Sequence, residues 1–198
     1  MGPYNSPMKH IETERLILRE WKDDDKKPFA RMNSDPIIME YFPRRLDETD
    51  SNRLVGRFRQ HFEKHGFGPY AVENRKDGEF MGFVGLHAVD FEAHFTPATE
   101  IAWRLDYGYW GQGYATEAAQ AVLKHAHTQL NIPEVVAFAV HDNMRALHIM
   151  EKIGMQRDMK GDFDYPHLRK DHPLGKFVLY RSVAAKPKAA KKPAKPKA

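Results

Sequence analysis

One eight-residue segment past the middle of the chain constrains the fold more than any other. It reads Trp110-Gly111-Gln112-Gly113-Tyr114-Ala115-Thr116-Glu117, with two glycines one residue apart. The apolar positions that follow have the spacing of an amphipathic helix: Ala115, Ala118, Ala119, Val122, Leu123, Ala126 and Leu130. The free N–H groups and the positive dipole end at a helix N-terminus favour an anion, most often phosphate. Because glycine has no side chain, this loop lets a ligand approach the backbone closely.

Two common phosphate-binding motifs do not match this loop. A Walker P-loop needs a lysine after the second glycine, whereas Tyr114 follows Gly113 here. The dinucleotide fingerprint needs a third small residue where Thr116 stands, and it needs an early strand–helix–strand unit. The phosphate-bearing ligand must therefore belong to another class.

The segments on either side of the loop have recognisable patterns. Residues 99–105 alternate apolar and polar side chains, as in a strand, and residues 135–140 form the continuous apolar run of a strand buried on both faces. Asn143 then provides an N-cap for a short helix that ends near Lys152, with Gly154 as its C′ residue.

Weaker patterns place the remaining elements. Residues 47–65 form a helix with Gly66 as its stop signal, and residues 162–167 form a loop before the last strand. The other elements are a strand over 15–21, a helix over 23–33, a hairpin of strands 69–73 and 80–89, and a strand over 176–182.

This order of elements resembles the acetyl-CoA-binding core of the GNAT-superfamily N-acetyltransferases. The run from Tyr109 to Ala118 is similar to a motif of their RimJ/RimL-type branch, and residues 13–19 and 150–155 extend the likeness. The resemblance implies an α/β (α+β) fold, with a mixed, mostly antiparallel sheet of about seven strands flanked by helices. Within that sheet two adjacent parallel strands, 99–105 and 134–140, splay apart.

The chain divides into one domain over 8–183 and a tail over 184–198. The tail contains only Ala, Pro and Lys, a composition that cannot build a core, so we expect it to be disordered. Subtracting its six lysines from the formal net charge of +4 leaves −2 for the rest of the chain. The tail is either a solubilising end or a weak contact to nucleic acid, the ribosome or another acidic partner.

The resemblance also implies which residues hold acetyl-CoA. Backbone donors of Trp103, Arg104 and Leu105 would stabilise the charge that develops on the thioester oxygen. Asn143 either contacts the pantetheine arm while capping its helix or only caps the helix. The loop residues assigned to the cofactor are Trp110, Gly111, Gln112, Gly113, Tyr114, Ala115 and Thr116. No spacing of His, Asp or Glu is typical of a metal site, so we expect no metal.

Acyl transfer requires an acceptor amine without its extra proton. Removing that proton at pH 7.4 costs about 4 kcal/mol for a lysine and under about 1 kcal/mol for an α-amine. Glu100 is the candidate base, because a carboxylate early in this strand matches the catalytic glutamate of several GNAT enzymes; alternatively it pairs with a nearby cation or binds substrate. His87 and His94 are alternative bases, since imidazole titrates in the useful range.

The general acid departs from the family pattern. Many GNAT enzymes have a tyrosine where this chain has Met150, and RimJ/RimL-type enzymes often have a serine at the position of Ala146. Neither side chain can donate a proton. The leaving thiolate would then be protonated by water, by Tyr109, by Tyr114 or by a more distant group, or acid catalysis contributes little.

Acceptor recognition is assigned to two segments, residues 39–45 and residues 162–167. In the first segment, Tyr41 and Phe42 either line the pocket or belong to the core. The same two alternatives apply to Trp103. In the second, Asp162 and Asp164 either hold a cationic amine or cap turns.

Two hypotheses for the function remain. The first is an N-acetyltransferase that moves an acetyl group from acetyl-CoA to a protein N-terminus or a small amine. The second is a non-catalytic module that binds acetyl-CoA or coenzyme A and docks through its basic tail. No apolar run has the roughly 20 residues of a membrane span, and cysteine is absent, so we expect a cytoplasmic protein away from membranes. We expect it to be a monomer or a homodimer.

Overall fold

A computed structural model describes residues 9–185. This part of the chain contains eight strands and four α-helices. The strands are β1 (Lys9–Glu12), β2 (Leu16–Arg19), β3 (Pro69–Asn74), β4 (Phe80–Ala88), β5 (Thr99–Leu105), β6 (Glu134–Val140), β7 (Gln156–Asp164) and β8 (Lys176–Val183). The helices are α1 (Lys26–Ser34), α2 (Glu48–His65), α3 (Tyr114–Thr128) and α4 (Met144–Lys152). Short 3₁₀ turns precede α1 and follow β5.

The strands form a single sheet in the order β1-β2-β3-β4-β5-β6-β8-β7. Every neighbouring pair is antiparallel except β5 and β6. Those two parallel strands align at one residue pair, Glu100 with Val136, although each strand has seven residues. The predicted splay of two central parallel strands is therefore confirmed, and with it the mixed, mostly antiparallel fold.

The helices cover both faces of the sheet. Phe83 of β4 packs its ring against Phe29 of α1 and Phe58 of α2. Because Phe83 lies opposite Arg104 in the register of β4 and β5, α1 and α2 cover the face to which Arg104 and Glu100 belong. On the other face α3 packs against β4 and β5, with one side of the helix buried: Ala118, Ala119, Val122, Leu123 and Ala126.

Most predicted elements occur where the sequence patterns placed them. Asp47 caps α2 by accepting a hydrogen bond from the N–H of Asp50, and Gly66 ends that helix with φ of +74°.

Two differences occur at the edges of the sheet. β1 was not predicted, because a four-residue edge strand carries too little alternation to be recognised.

The second difference is a correction. The predicted loop at residues 162–167 is wrong at its start, since Asp162 and Asp164 belong to β7. Most of this edge strand is partly or fully exposed, and its pairing with β8 is irregular between Asp158 and Phe163, so it lacks the buried alternation of a central strand.

The predicted tail lies almost wholly outside the described residues, so its disorder and the domain boundary remain predictions. Within the part of the chain that is described, Ala184 still donates a backbone hydrogen bond to Pro133. None of the helices described is long and apolar enough to span a bilayer.

A buried ion network ties β2, β3 and the start of α1 together. The Arg19 guanidinium donates to both carboxylate oxygens of Asp25, at 2.7 and 2.9 Å, and to Glu73 at 2.6 Å. Burial alone would lower the pKa of Arg19, but these two carboxylates raise it by more, so the net shift of the pKa is upward. Lys22 adds a second cation to Glu73 at 2.9 Å. The network fixes the segment that leads into α1, which borders the candidate site.

Replacing Asp25 with Asn leaves the Arg19 charge with a neutral partner in a buried position. We expect the free energy of unfolding to fall by about 3 kcal/mol, since breaking one partner of a buried pair is strongly destabilising. Urea denaturation measures the difference. The exposed pair of Arg53 with Asp50 supplies the control, and Arg53→Ala should leave the urea midpoint unchanged. Equal midpoints for the Asp25 variant and the wild type would contradict this assignment.

Candidate active site

The gap between β5 and β6 is the centre of the candidate site. After their single aligned pair at Glu100 and Val136, the two strands run to their C-terminal ends without pairing with each other. β5 is held on its other edge by β4, and β6 by β8. Peptide groups along the gap are thus available to an extended ligand that enters between the strands.

The glycine loop follows β5 at the open end of this gap. Gly111 and Gly113 have φ of +74° and +81°, the left-handed conformation that glycine adopts without strain. Gly113 is the N-cap residue of α3, and no side chain caps that helix. A Cβ at Gly111 would meet no described atom within 4 Å, so the loop is open on that side. Ala115 and Thr116 contribute to the first turn of α3.

Contacts from the N-terminal part of the chain support the loop. The Arg15 side chain donates to the Gln112 carbonyl at 3.0 Å and to the Glu117 carboxylate at 2.6 Å, and it lies over the Tyr114 ring at 4.1 Å. Thr13 also donates to Glu117, at 2.6 Å. Burial raises the pKa of Glu117, but these hydrogen bonds lower it by more. Sequence reasoning missed Arg15 in this role because nearly 100 residues separate it from the loop.

Asn143 lies at the end of β6, across the gap from the loop. Its side chain accepts a hydrogen bond from the N–H of Ala146 at 3.2 Å and so caps α4. The capping role is confirmed, whereas the contact with a ligand stays a prediction.

Arg145 connects the two sides of the open end. Its guanidinium lies over the Trp110 ring at 4.8 Å and over the Tyr41 ring at 5.6 Å, and it pairs with Glu40. The Tyr41 hydroxyl donates to the Asp142 carbonyl at 3.3 Å. We call this set of contacts (Glu40, Tyr41, Asp142, Arg145 and Trp110) the Arg145 bridge.

The residues of β5 differ in where their side chains lie. Trp103 is partly buried and packs against the main core, and Leu105 is buried. The Leu105 carbonyl accepts a hydrogen bond from the Trp110 indole at 2.9 Å, which fixes the start of the loop. Arg104 turns toward α1, where its guanidinium donates to Asn33.

Glu100 is buried and lies opposite His87 in the register of β4 and β5. The two side chains form an ion pair, with 3.0 Å between His87 Nε2 and the carboxylate. Burial lowers the pKa of His87, but the Glu100 and Asp90 carboxylates raise it by more. His87 Nδ1 is buried and makes no hydrogen bond within the described residues. Glu100 thus has one of the roles left open from the sequence, because it pairs with a cation, whereas its role as a base stays a prediction.

Tyr165 is a neighbour of Glu100 that sequence reasoning did not single out. Burial raises the pKa of its hydroxyl, and the charges of Glu100 and Asp90 raise it further. The ring stacks on Phe177 with centroids 4.8 Å apart and lies edge-on to Phe91 at 5.3 Å. The only sequence signal was its place in the segment assigned to the acceptor side.

The other candidate histidine and the acidic acceptor residues have contacts of their own. His94 is in the connection between β4 and β5, against the Phe95 ring. Asp162 and Asp164 each form an ion pair, with Arg157 and with Lys176 respectively, at 2.5 Å in both cases. Phe42 covers the Arg104 guanidinium at 4.1 Å, and its side chain is exposed enough to meet a ligand.

The positions assigned to a general acid carry no acidic proton. Met150 is buried in the core, and Ala146 is partly buried in α4. The Tyr109 hydroxyl donates to Glu79 at 2.8 Å, and burial together with that carboxylate raises its pKa to about 12. Tyr114 lies beneath Arg15 at the start of α3.

Among the described residues no group of three or more His, Cys, Asp or Glu side chains could hold a metal ion.

A family model described as an acetyltransferase (GNAT) domain matches residues 15–156, which is well over half of the chain. The chain belongs to the GNAT acetyltransferase family. A curated relative, the uncharacterized N-acetyltransferase YnaD of Bacillus subtilis, is 30% identical over 151 residues, which is 75% of this chain and 84% of YnaD.

Solved GNAT structures have the same fold. A GNAT-family acetyltransferase from Bacillus anthracis superposes with a TM-score of 0.73 at 26% identity, over 87% of this chain and 97% of that protein. RimL, a ribosomal L7/L12 alpha-N-protein acetyltransferase solved with coenzyme A, gives a TM-score of 0.70 at 15% identity, over 87% and 96% of the two chains. The second likeness concerns the fold alone.

The ion pair of His87 with Glu100 makes the stability of this acetyltransferase depend on pH. Because the folded pKa of His87 is raised above its unfolded value near 6.5, the pair stabilises fully below about pH 6.5. This contribution is lost as the pH rises through the folded pKa. NMR titration of the imidazole should therefore give a pKa above about 6.5. The stability difference between wild type and His87→Gln should shrink with rising pH, whereas that for the exposed His148→Gln should not change. A His87 pKa below 6.5 would refute this account.

Gly113→Glu tests the loop as an anion site. The new side chain forces a strained backbone and adds negative charge at the N-terminus of α3, so we expect at least a tenfold loss of coenzyme A affinity by calorimetry. Gly66→Glu is the matched control, because Gly66 has a similar φ of +74° and no described atom near its Cβ position. Both variants should lose stability through the strained backbone, but only the first should lose affinity. Unchanged binding by a folded Gly113 variant would remove the loop from the site.

Proposed function

We propose that the protein transfers the acetyl group of acetyl-CoA to a primary amine, with both substrates bound together. The position of Glu100 carries this proposal. Its backbone lies at the one residue pair where β5 and β6 still align, next to the gap that opens between them, and its side chain is buried.

The residues present fit acetyl-CoA. The uncapped N-terminus of α3 with Gly111 and Gly113 has the donors that a diphosphate needs. The unpaired edges of β5 and β6 offer N–H and C=O groups to the amide groups of a pantetheine arm. When bound, acetyl-CoA would supply an activated acetyl group as a thioester.

Glu100 would accept the proton that the acceptor amine loses. A positioned carboxylate can do this directly or through one water molecule. His87 controls how available that carboxylate is, because the imidazolium holds it as an ion pair and the neutral imidazole holds it less strongly. We therefore expect kcat/KM to rise with pH as His87 loses its proton.

Tyr165 is a candidate proton donor near Glu100. Its hydroxyl carries a proton at neutral pH, and the raised pKa makes it a weaker acid than a free tyrosine. Tyr165 would donate a proton to the leaving thiolate, which Met150 and Ala146 at the usual positions cannot do. Water is the alternative donor. The acceptor would be a protein N-terminus or a small-molecule amine.

The second candidate function is a module that binds coenzyme A without turnover. The absence of a proton donor at Met150 and Ala146 favours it. In that case the lysine-rich tail would dock on an acidic partner. Free thiol measured with acetyl-CoA and a panel of amines separates the two functions, because only the transferase releases thiol above the background of hydrolysis.

Glu100→Gln removes the base but keeps the size of the side chain and a hydrogen-bonding group for His87. We expect kcat to fall by about 100-fold or more, since general base catalysis contributes that much. Coenzyme A affinity should stay the same. Glu134→Gln, in a partly exposed pair with Arg181, is the control and should leave kcat unchanged. A Glu100 variant with wild-type kcat would exclude this residue as the base.

A further inference from the structure

Arg104 is a half-buried cation with no described carboxylate partner. Its guanidinium donates one hydrogen bond, to the neutral side-chain amide of Asn33. Its Nε is buried and has no hydrogen-bond acceptor among residues 9–185. Burial lowers the pKa of Arg104 to about 10, so the group is still charged at neutral pH.

Other arginines near the sheet are compensated in the same structure. Arg19 pairs with Asp25 and Glu73, and Arg181 pairs with Asp158 at 2.8 Å. A buried charge without such a partner is costly, and the cost is recovered when an anion binds. A guanidinium is also the side chain best shaped for a carboxylate, which it can bind through two parallel N–H groups.

The location of Arg104 indicates which ligand would bring that anion. Arg104 and Glu100 lie four residues apart on one face of β5, about 13 Å along the strand. This is the face covered by α1 and α2, whereas the glycine loop leads into α3 on the other face. An acceptor bound on the Glu100 side would therefore reach Arg104, while a diphosphate at the loop would not.

The surroundings of the guanidinium allow a ligand to reach it. The ring of Phe83 lies below it at 5.7 Å, and the ring of Phe42 covers it at 4.1 Å. Phe42 is 38% exposed and belongs to the segment between α1 and α2. A small displacement of this one aromatic side chain would open the guanidinium to solvent.

We propose that Arg104 binds a carboxylate of the acceptor, so that the acceptor carries both an amine and an acid, as a short peptide with a free C-terminus does. This proposal rests on the proposed function, since it names the substrate class of the same site. Arg104 is then a specificity-determining residue, and Glu100 remains the base.

Alanine di- and tripeptides with either a free or an amidated C-terminus test the proposal. The wild type should acetylate at least one free acid with a kcat/KM at least tenfold above that of its amide, since a charged hydrogen-bond pair contributes that much. Arg104→Gln should abolish this preference, mainly through KM, so that the acid and its amide give similar kcat/KM. Arg104→Lys should keep part of the preference. Arg31→Gln, an exposed change on α1, should keep all of it.

Equilibrium binding separates a failure of this proposal from a failure of the proposed function. If neither the peptides nor the panel of amines is acetylated, the transferase proposal fails, and binding of each peptide to the coenzyme A complex, followed by NMR, still tests Arg104. Tighter binding of the acid than of the amide by wild type, lost in Arg104→Gln, would support the carboxylate site. Equal binding of acid and amide by wild type would overturn it.

A stability measurement excludes a purely structural role. Because the charge is uncompensated, Arg104→Gln should leave the unfolding temperature unchanged or raise it. A large fall in that temperature would show that the guanidinium holds the fold together, and it would overturn the proposal as well.

Discussion

The separation of β5 from β6 is the feature on which the rest of the structure depends. Each strand is firmly paired on its outer edge, with seven aligned residues between β4 and β5 and seven between β6 and β8. The sheet therefore consists of two well-bonded halves that meet at Glu100 and Val136 and diverge from there. A continuous sheet would have no free peptide groups at its centre, and hence no place for an extended ligand.

An aromatic cluster closes the end of the seam where the two halves meet. Phe95 packs on Phe138 and Phe163, and Val136 belongs to the same buried group. These side chains come from β6, β7 and the connection between β4 and β5, so they bind the halves together next to Glu100. The opposite end has the glycine loop and Asn143 instead, which leaves polar backbone available where the strands are farthest apart.

The sequence predicted the parts of the site whose patterns are local. The glycines before an apolar stripe indicated the N-terminus of α3, and Asn143 and Gly154 marked the two ends of α4. Alternation placed Glu100 and Arg104 on one face. The pairing of Glu100 with His87, the support from Arg15 and the nearness of Tyr165 depend on contacts between distant segments. No periodicity encodes such contacts. The same reason explains why β1 and the extent of β7 were missed, since exposed edge strands need no regular burial.

The Arg145 bridge has a thermodynamic consequence. It connects the segment that carries Tyr41 and Phe42 with Trp110 at the start of the glycine loop. A ligand that displaces Trp110 would therefore also change the free energy of the segment that holds Phe42 over Arg104. Linkage between two sites is reciprocal, so the factor by which one substrate changes the affinity of the other applies in both directions. Cooperative binding of the two substrates would thus originate in a single guanidinium between two aromatic rings.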